Sequence, residues 1–172
     1  TYTILCFFCG LIACKPNSKL YEEFRNTRIN FEFSEMTKLS KNSVPDNNSS
    51  YIQFVYVDSL QCSSCLSNKL IIWEELLEDI TAIQPNFAVC IIVATSSQND
   101  HDRLQKILRL RSSELIMYAD SNNHFISQNP IIHKSKVFKT FIIDKDGQTI
   151  IFGDPTVNIN VKNLTIKTFK SM

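Results

Sequence analysis

The strongest pattern lies between residues 51 and 152, where short apolar runs alternate with stretches of helical period. Residues 51–58 (YIQFVYVD) are nearly continuous in apolar character, as expected of a strand covered on both faces. Leu66, Leu70, Trp73, Leu77 and Ile80 then recur at the spacing of one helix face, with Glu74, Glu75, Glu78 and Asp79 as the wet side. Pro85 closes that connection. Residues 87–94 (FAVCIIVA) are uniformly apolar and predict a second central strand. Asn99 or Asp100 can cap a helix carrying Leu104, Ile107, Leu108 and Leu110. A short strand is expected at 114–118 and a long polar loop at 120–136. A strand at 137–143 and its partner at 149–152 form a hairpin around Asp144-Lys145-Asp146-Gly147. Residues 158–170 can close the fold as a helix, a weak one because they are rich in Asn and Thr. Alternation of this kind implies a three-layer α/β fold: a mixed sheet with a parallel core, an antiparallel C-terminal hairpin, and helices on both faces.

Residues 15–50 are polar and mixed. Ser18 can cap a short helix at 19–26 whose apolar edge is Leu20, Tyr21 and Phe24. Residues 28–33 (RINFEF) alternate like a short strand, and 41–50 are a dense turn cluster. This stretch reads as a spacer and N-terminal extension, ahead of a domain at 51–172.

Residues 2–13 (YTILCFFCGLIA) carry no charge. As a helix they would span only about 18 Å, short of a hydrocarbon core of about 30 Å, so they read as the apolar region of a signal peptide. The run ends in Leu11-Ile12-Ala13-Cys14, which resembles the lipobox of bacterial lipoproteins. The resemblance implies a signal peptide at 1–14, cleavage before Cys14, and lipid on its sulfur and amine. Lys15, by resemblance to sorting rules in Gram-negative cells, points to the outer membrane. The alternative is an ordinary secretory signal in which Cys14 is incidental. Either way the mature protein is expected outside the cytoplasm, where disulfides persist.

Composition narrows the function classes. Lys and Arg number 18 against 17 Asp and Glu, so the basic excess of a nucleic-acid binder is absent. With three Gly and five Pro the chain is neither fibrous nor of low complexity. Of six Cys, Cys6 and Cys9 would leave with the signal and Cys14 would be acylated, leaving Cys62, Cys65 and Cys90.

The chemistry concentrates in VYVDSLQCSSCLSNKL, where Cys62 and Cys65 follow the first central strand and open the next helix. Amides of a first helical turn are unpaired and the dipole there is positive, so a thiolate at Cys62 is favoured. Two intervening residues let Cys65 close a bridge to Cys62 across one turn. The strand–CxxC–helix junction, the apolar second strand and Phe138-Lys-Thr-Phe-Ile-Ile-Asp-Lys-Asp-Gly147 together resemble the thioredoxin superfamily, most nearly its membrane-anchored periplasmic lipoproteins. The resemblance covers about residues 51–172. It implies a thioredoxin-like fold in which Cys62 attacks disulfides, Cys65 resolves the mixed disulfide, and Asp144 and Gly147 shape the hairpin turn.

Three positions depart from that family. Phe138 stands where most relatives carry a cis-Pro facing the cysteines. A cis bond before a non-proline residue costs about 3–4 kcal/mol, so a trans bond and an altered groove are expected. Gln61 replaces the usual Trp. Tyr56 replaces a buried acid, and Asp58 lies nearby without an assured orientation. Rival readings of the pair are a structural disulfide, a zinc site drawing on Cys90, His101, His124 and His133, and a peroxiredoxin-like site. The last has Ser59 three residues before Cys62 but Val55 where a Pro is expected. Cys90 reads as a buried inert thiol, Trp73 as core, and His124 and His133 as surface residues. The leading expectation is an extracytoplasmic thiol–disulfide oxidoreductase acting on protein thiols or disulfides, with no cofactor and no metal. The rival is a non-catalytic binding or scaffolding lipoprotein of the same fold.

Overall fold

The computed structural model describes residues 18–42, 51–58, 63–109 and 114–172, without the side chains of 63–65 and 109. The expected signal and lipobox with Cys14, residues 43–50 of the turn cluster expected at 41–50, and Ser59, Gln61, Cys62 and Leu110 lie outside the described residues. No helix among the described residues is long and apolar enough to cross a membrane.

The chain order is α1 (Ser18–Asn26), β1 (Thr37–Lys38), β2 (Tyr51–Val57), α2 (Ser63–Thr81), β3 (Phe87–Ala94), α3 (Gln98–Arg109) and β4 (Ile116–Asp120). It continues with α4 (His124–Gln128), two 3-10 turns (Pro130–Lys134 and Lys136–Lys139), β5 (Thr140–Asp144), β6 (Thr149–Phe152) and α5 (Ile159–Lys170). The six strands among the described residues form one mixed sheet in the order β1-β4-β3-β2-β5-β6. β2 runs parallel to β3, with Phe54 opposite Cys90, and antiparallel to β5, with Phe54 opposite Phe141. This is the α/β architecture expected from the alternation of elements.

Because successive side chains of a strand point to opposite faces, the sheet divides the interior into two cores. Ile52, Phe54 and Tyr56 of β2 join Phe24, Phe125, Ile132 and Phe138 on one face. Val55 joins Leu70, Trp73 and Ile80 of α2, Leu104 of α3 and Phe169 of α5 on the other. The predicted stripe of α2 is buried at all five positions.

Three local expectations are corrected. The cap of α3 is Ser97: its hydroxyl accepts the Asp100 amide at 3.2 Å, and the Asp100 carboxylate accepts the Ser96 amide and both hydroxyls. This reciprocal capping box holds the Asp100 carboxyl below its ordinary range, chiefly through the Ser96 amide. The polar loop expected at 120–136 instead contains α4 and a 3-10 turn, and the second turn takes the start of the expected strand at 137–143. Their apolar pairs, Phe125–Ile126 and Ile131–Ile132, are buried, and the sealed Asp120 carboxylate accepts the His124 and Phe125 amides at 2.8 and 3.0 Å. Residues 28–33 do not form the expected strand. Arg28 makes an isolated bridge to Gln148, and the strand added by this segment is β1, antiparallel to β4.

The segment before β2 is fastened into the fold. Asn129 donates to the Asn30 carbonyl and accepts the Asn30 amide, at 2.7 and 2.8 Å. The Ile29 amide donates to the Gly147 carbonyl at 3.0 Å. Gly147 has φ 77°, and a Cβ there would sit 3.1 Å from the Ile29 carbonyl, so both the turn and the close approach require glycine. Phe24 is fully buried, with its ring stacked on Phe138 at 4.2 Å between centroids. Replacing it, Phe24→Ala, is expected to destabilise the protein by about 3–5 kcal/mol in urea unfolding. A loss below about 1 kcal/mol would show that α1 is not part of the core.

Candidate functional site

β2 is buried along most of its length, so its first charged residue appears where the strand leaves the sheet, at the exposed Asp58. α2 begins at Ser63, and Cys65 is its third residue. The Cys65 backbone therefore lies in the first turn, where amide donors have no intrahelical partner. Cys62 immediately precedes Ser63 in the sequence and lies outside the described residues, as does the Cys65 side chain.

A cavity of about 730 Å³ opens beside this junction. Val55 and Asp58 bound it at the end of β2, Leu66, Leu70 and Trp73 along α2, and Val137 and Lys139 at the turn into β5. Gly153, Val157 and Val161 close it from the connection between β6 and α5. Gly153 has φ 112°, and a Cβ there would meet Val161 at 3.0 Å. All described peptide bonds are trans, Val137–Phe138 included. Phe138 does not line the cavity. Its ring is fully buried in the opposite core, against Phe24 and edge-on to Tyr21, because an aromatic ring gains more there than in water. Val137, 41% exposed, and Lys139 take the place facing the junction.

Two titratable groups sit at the strand end. Lys139 forms an ion pair with Asp58, linking the exit of β2 to the turn before β5. The Lys139 hydrogen bond holds the Asp58 carboxyl below its ordinary 3.8 against partial burial, aided by the Lys139 charge and, more weakly, by His133. The Tyr56 phenol is pushed up to about 12, first by burial and then by the Asp120 and Asp58 charges. Its hydroxyl donates to Asn123 Oδ1 at 3.4 Å. Lys139 was not singled out in the sequence. Its signal was a cation directly before a strand whose next four residues are apolar or β-branched.

The other candidates separate. Cys90 is sealed in the middle of β3, and burial pushes its thiol well above the ordinary range. His101 lies on α3, His124 opens α4, and the exposed His133 lies in the first 3-10 turn. Among the described residues no group of three or more His, Cys, Asp or Glu could hold a metal ion. Trp73 is 1% exposed. Asp144 and Gly147 shape the hairpin: the Gly147 amide donates to the Asp144 carbonyl at 3.0 Å, and Asp144 Oδ1 accepts the Asp146 and Gln148 amides.

No protein-family model and no curated protein matches the sequence. Among solved structures, the chain is similar to a thioredoxin-like protein from Porphyromonas gingivalis, at 17% identity and TM-score 0.56, over 85% of this chain and 93% of that one. It is similar to a candidate thiol:disulfide interchange protein DsbE from Chlorobium tepidum, at 16% identity and TM-score 0.51, over 78% and 93%. It is also similar to the bacterioferritin comigratory protein of Xanthomonas campestris, studied for alkyl peroxide reduction, at 8% identity and TM-score 0.53, over 83% and 96%. These likenesses establish a thioredoxin-like fold.

Lys139→Met is expected to raise the Asp58 pKa toward 3.8, read from the carboxyl carbon in an NMR pH titration. An unmoved pKa would show that the pair contributes nothing. A lowered carboxyl pKa contributes stability above pH 3.8 that is lost as pH falls through the folded value. The raised Tyr56 pKa acts in the other direction. Its stabilisation is complete below pH 10 and is lost as pH rises through about 12. Tyr56→Phe should therefore remove part of the fall in unfolding free energy across that alkaline window.

Proposed function

We propose that the protein is a thiol–disulfide oxidoreductase that acts outside the cytoplasm on protein clients and is tethered to a membrane by lipid on Cys14. The observation that supports this best is the place of the Cys62-Ser-Ser-Cys65 spacing in a thioredoxin-like fold. Its second cysteine opens α2 beside an apolar cavity at the end of the central strand. Unpaired first-turn amides and the helix dipole favour an anion there, and the thiolate is the attacking species.

In the reduced protein, the Cys62 thiolate attacks one sulfur of a client disulfide. The client S–S bond breaks, a Cys62–client disulfide forms, and the other client sulfur leaves as a thiolate that takes a proton from solvent. The Cys65 thiolate then attacks the Cys62 sulfur. A Cys62–Cys65 disulfide forms and the second client sulfur departs. Two electrons pass from the protein dithiol to the client, and the reverse sequence oxidises a client dithiol. These steps need no cofactor. Acyl chains on Cys14 would add about 0.8 kcal/mol of membrane attachment per buried methylene, so several chains suffice as a tether.

A second reading is a non-catalytic binding or scaffolding protein in which Cys62 and Cys65 form a structural disulfide. The burial of Phe138 and the ion pair across the strand end favour it, since both shape the surface at the end of β2. Trapping separates the two. Cys65→Ser is expected to accumulate reductant-sensitive adducts with client proteins in cells, and a Cys62→Ser/Cys65→Ser variant to accumulate none. Alkylation of Cys62 should show a midpoint at least about one pH unit below 8.5, while buried Cys90 stays unmodified in the native protein. A midpoint near 8.5 with no adducts would favour the scaffold.

A further inference from the structure

We infer that the cavity beside Cys65 selects client segments carrying a bulky apolar side chain flanked by carboxylates, the apolar group packing on Val137, Val157 and Val161 above the buried Trp73 and the carboxylates meeting Lys69 and Lys136. The inference rests on the redox reading above and names its client class.

Walls and rim differ in chemistry. Val137, Val157 and Val161 give the cavity its accessible apolar wall above the buried Leu70 and Trp73, and about 730 Å³ exceeds what one aromatic side chain fills. Burial of an apolar group there is favourable and non-directional, so the walls supply affinity without choosing among clients. The choice falls to the charges. Three lysines and two aspartates line the cavity. Lys139 is neutralised by Asp58. Asp154 Oδ1 is engaged by the Thr156 amide and hydroxyl at 2.9 and 2.5 Å. Lys69 on α2 and Lys136 on the turn before β5 are exposed, and neither has a carboxylate partner among the described residues. The neutral Thr156 donors leave the Asp154 charge in place, so the described lining carries three cations against two anions, a net positive charge, with the exposed Lys69 and Lys136 on different lips of one apolar opening. Complementary charge raises the rate of productive encounter and penalises like-charged partners.

Trp73 is the only tryptophan and lines the cavity, so its emission reports occupancy independently of sulfur chemistry. The full chain is titrated with peptides X-X-Phe-Ser-X-X, in which X is Glu, Gln or Lys. The Glu peptide is expected to bind about three- to tenfold more tightly than the Lys peptide at low salt, with Gln between them. The spread should collapse at about 0.5 M salt, and Phe→Ala in the peptide should weaken binding. Lys69→Glu/Lys136→Glu should invert the order. The same order is expected in single-turnover exchange with the corresponding Cys peptides as disulfide dimers. Each rate is divided by that of dithiothreitol on the same peptide, to remove the effect of flanking charge on the client thiol.

Equal affinities for the three peptides, or an order that survives the double variant, would overturn the inference. So would a response of Trp73 to decanoate but to none of the peptides, which would make the cavity a site for small amphipathic carboxylates. Failure of the reduced protein to exchange with hydroxyethyl disulfide, with the Glu peptide still preferred in the emission assay, would sink the redox reading and leave the binding preference standing.

Discussion

A strand covered on both faces can present polar chemistry only at its ends, and β2 is such a strand. It lies between β3 and β5, and its five interior positions are buried. Pairing then decides what meets its C-terminal end. β5 runs antiparallel and starts with Thr140 opposite Val55, so the turn before β5 arrives at that end. β6 runs antiparallel to β5 with Phe152 opposite Phe141, which brings Gly153 and Asp154 to the same edge. α2 departs from it. The cavity is the space these connections enclose, at the carboxyl end of a central strand where open α/β sheets generally hold their ligands.

The same edge is shaped by the residue at position 138. An aromatic ring at position 138 is better accommodated in the core than at a groove, and the stack of Phe24 on Phe138 is the result. The chain segment ahead of β2 is thereby drawn into the interior. Phe24, Ile29 and Met36 belong to the same core as the sheet residues, and Phe33 stacks on Tyr118 at 4.4 Å. With position 138 turned inward, its neighbours Val137 and Lys139 set the character of the groove. Phe138 thus couples the packing of the N-terminal segment to the groove that Val137 and Lys139 line.

How much of this the sequence discloses depends on how long each pattern runs. β2, β3 and α2 carry seven, eight and nineteen residues of consistent period, and they lie where the pattern puts them. The segment from Asp120 to Lys136 is read as loop because the helices that form there have four or five residues each, too few for a period to emerge. Its apolar residues come in adjacent pairs that reach one core through tight turns. Residues 28–33 fail for the opposite reason. Their alternation is real, but it places Phe31 and Phe33 on rings of the core rather than on a ladder of strand hydrogen bonds. At the site, the junction and the inertness of Cys90 are legible. The Asp58–Lys139 pair is not, since its partners are 81 residues apart and meet only through the antiparallel register of β2 and β5.

That pair, with Tyr56, also bears on how protons would move. A group that relays protons during catalysis works best when its pKa lies near the operating pH. The two groups at the end of β2 are displaced from that range in opposite directions. Tyr56 keeps its proton to about pH 12, and Asp58 stays ionised below 3.8 because Lys139 holds it so. Neither can take and return a proton near neutrality. A thiol pair working here would exchange its protons with solvent at the open mouth of the cavity rather than through the strand beneath it. The Lys139 charge is already engaged by Asp58, so the described residues offer an anion the first-turn amides of α2 together with Lys69 and Lys136 on the lips of the cavity. With Tyr56 at this position, the sulfurs of the proposed reaction would be governed by fixed charges and the field of a helix rather than by a titrating side chain of β2.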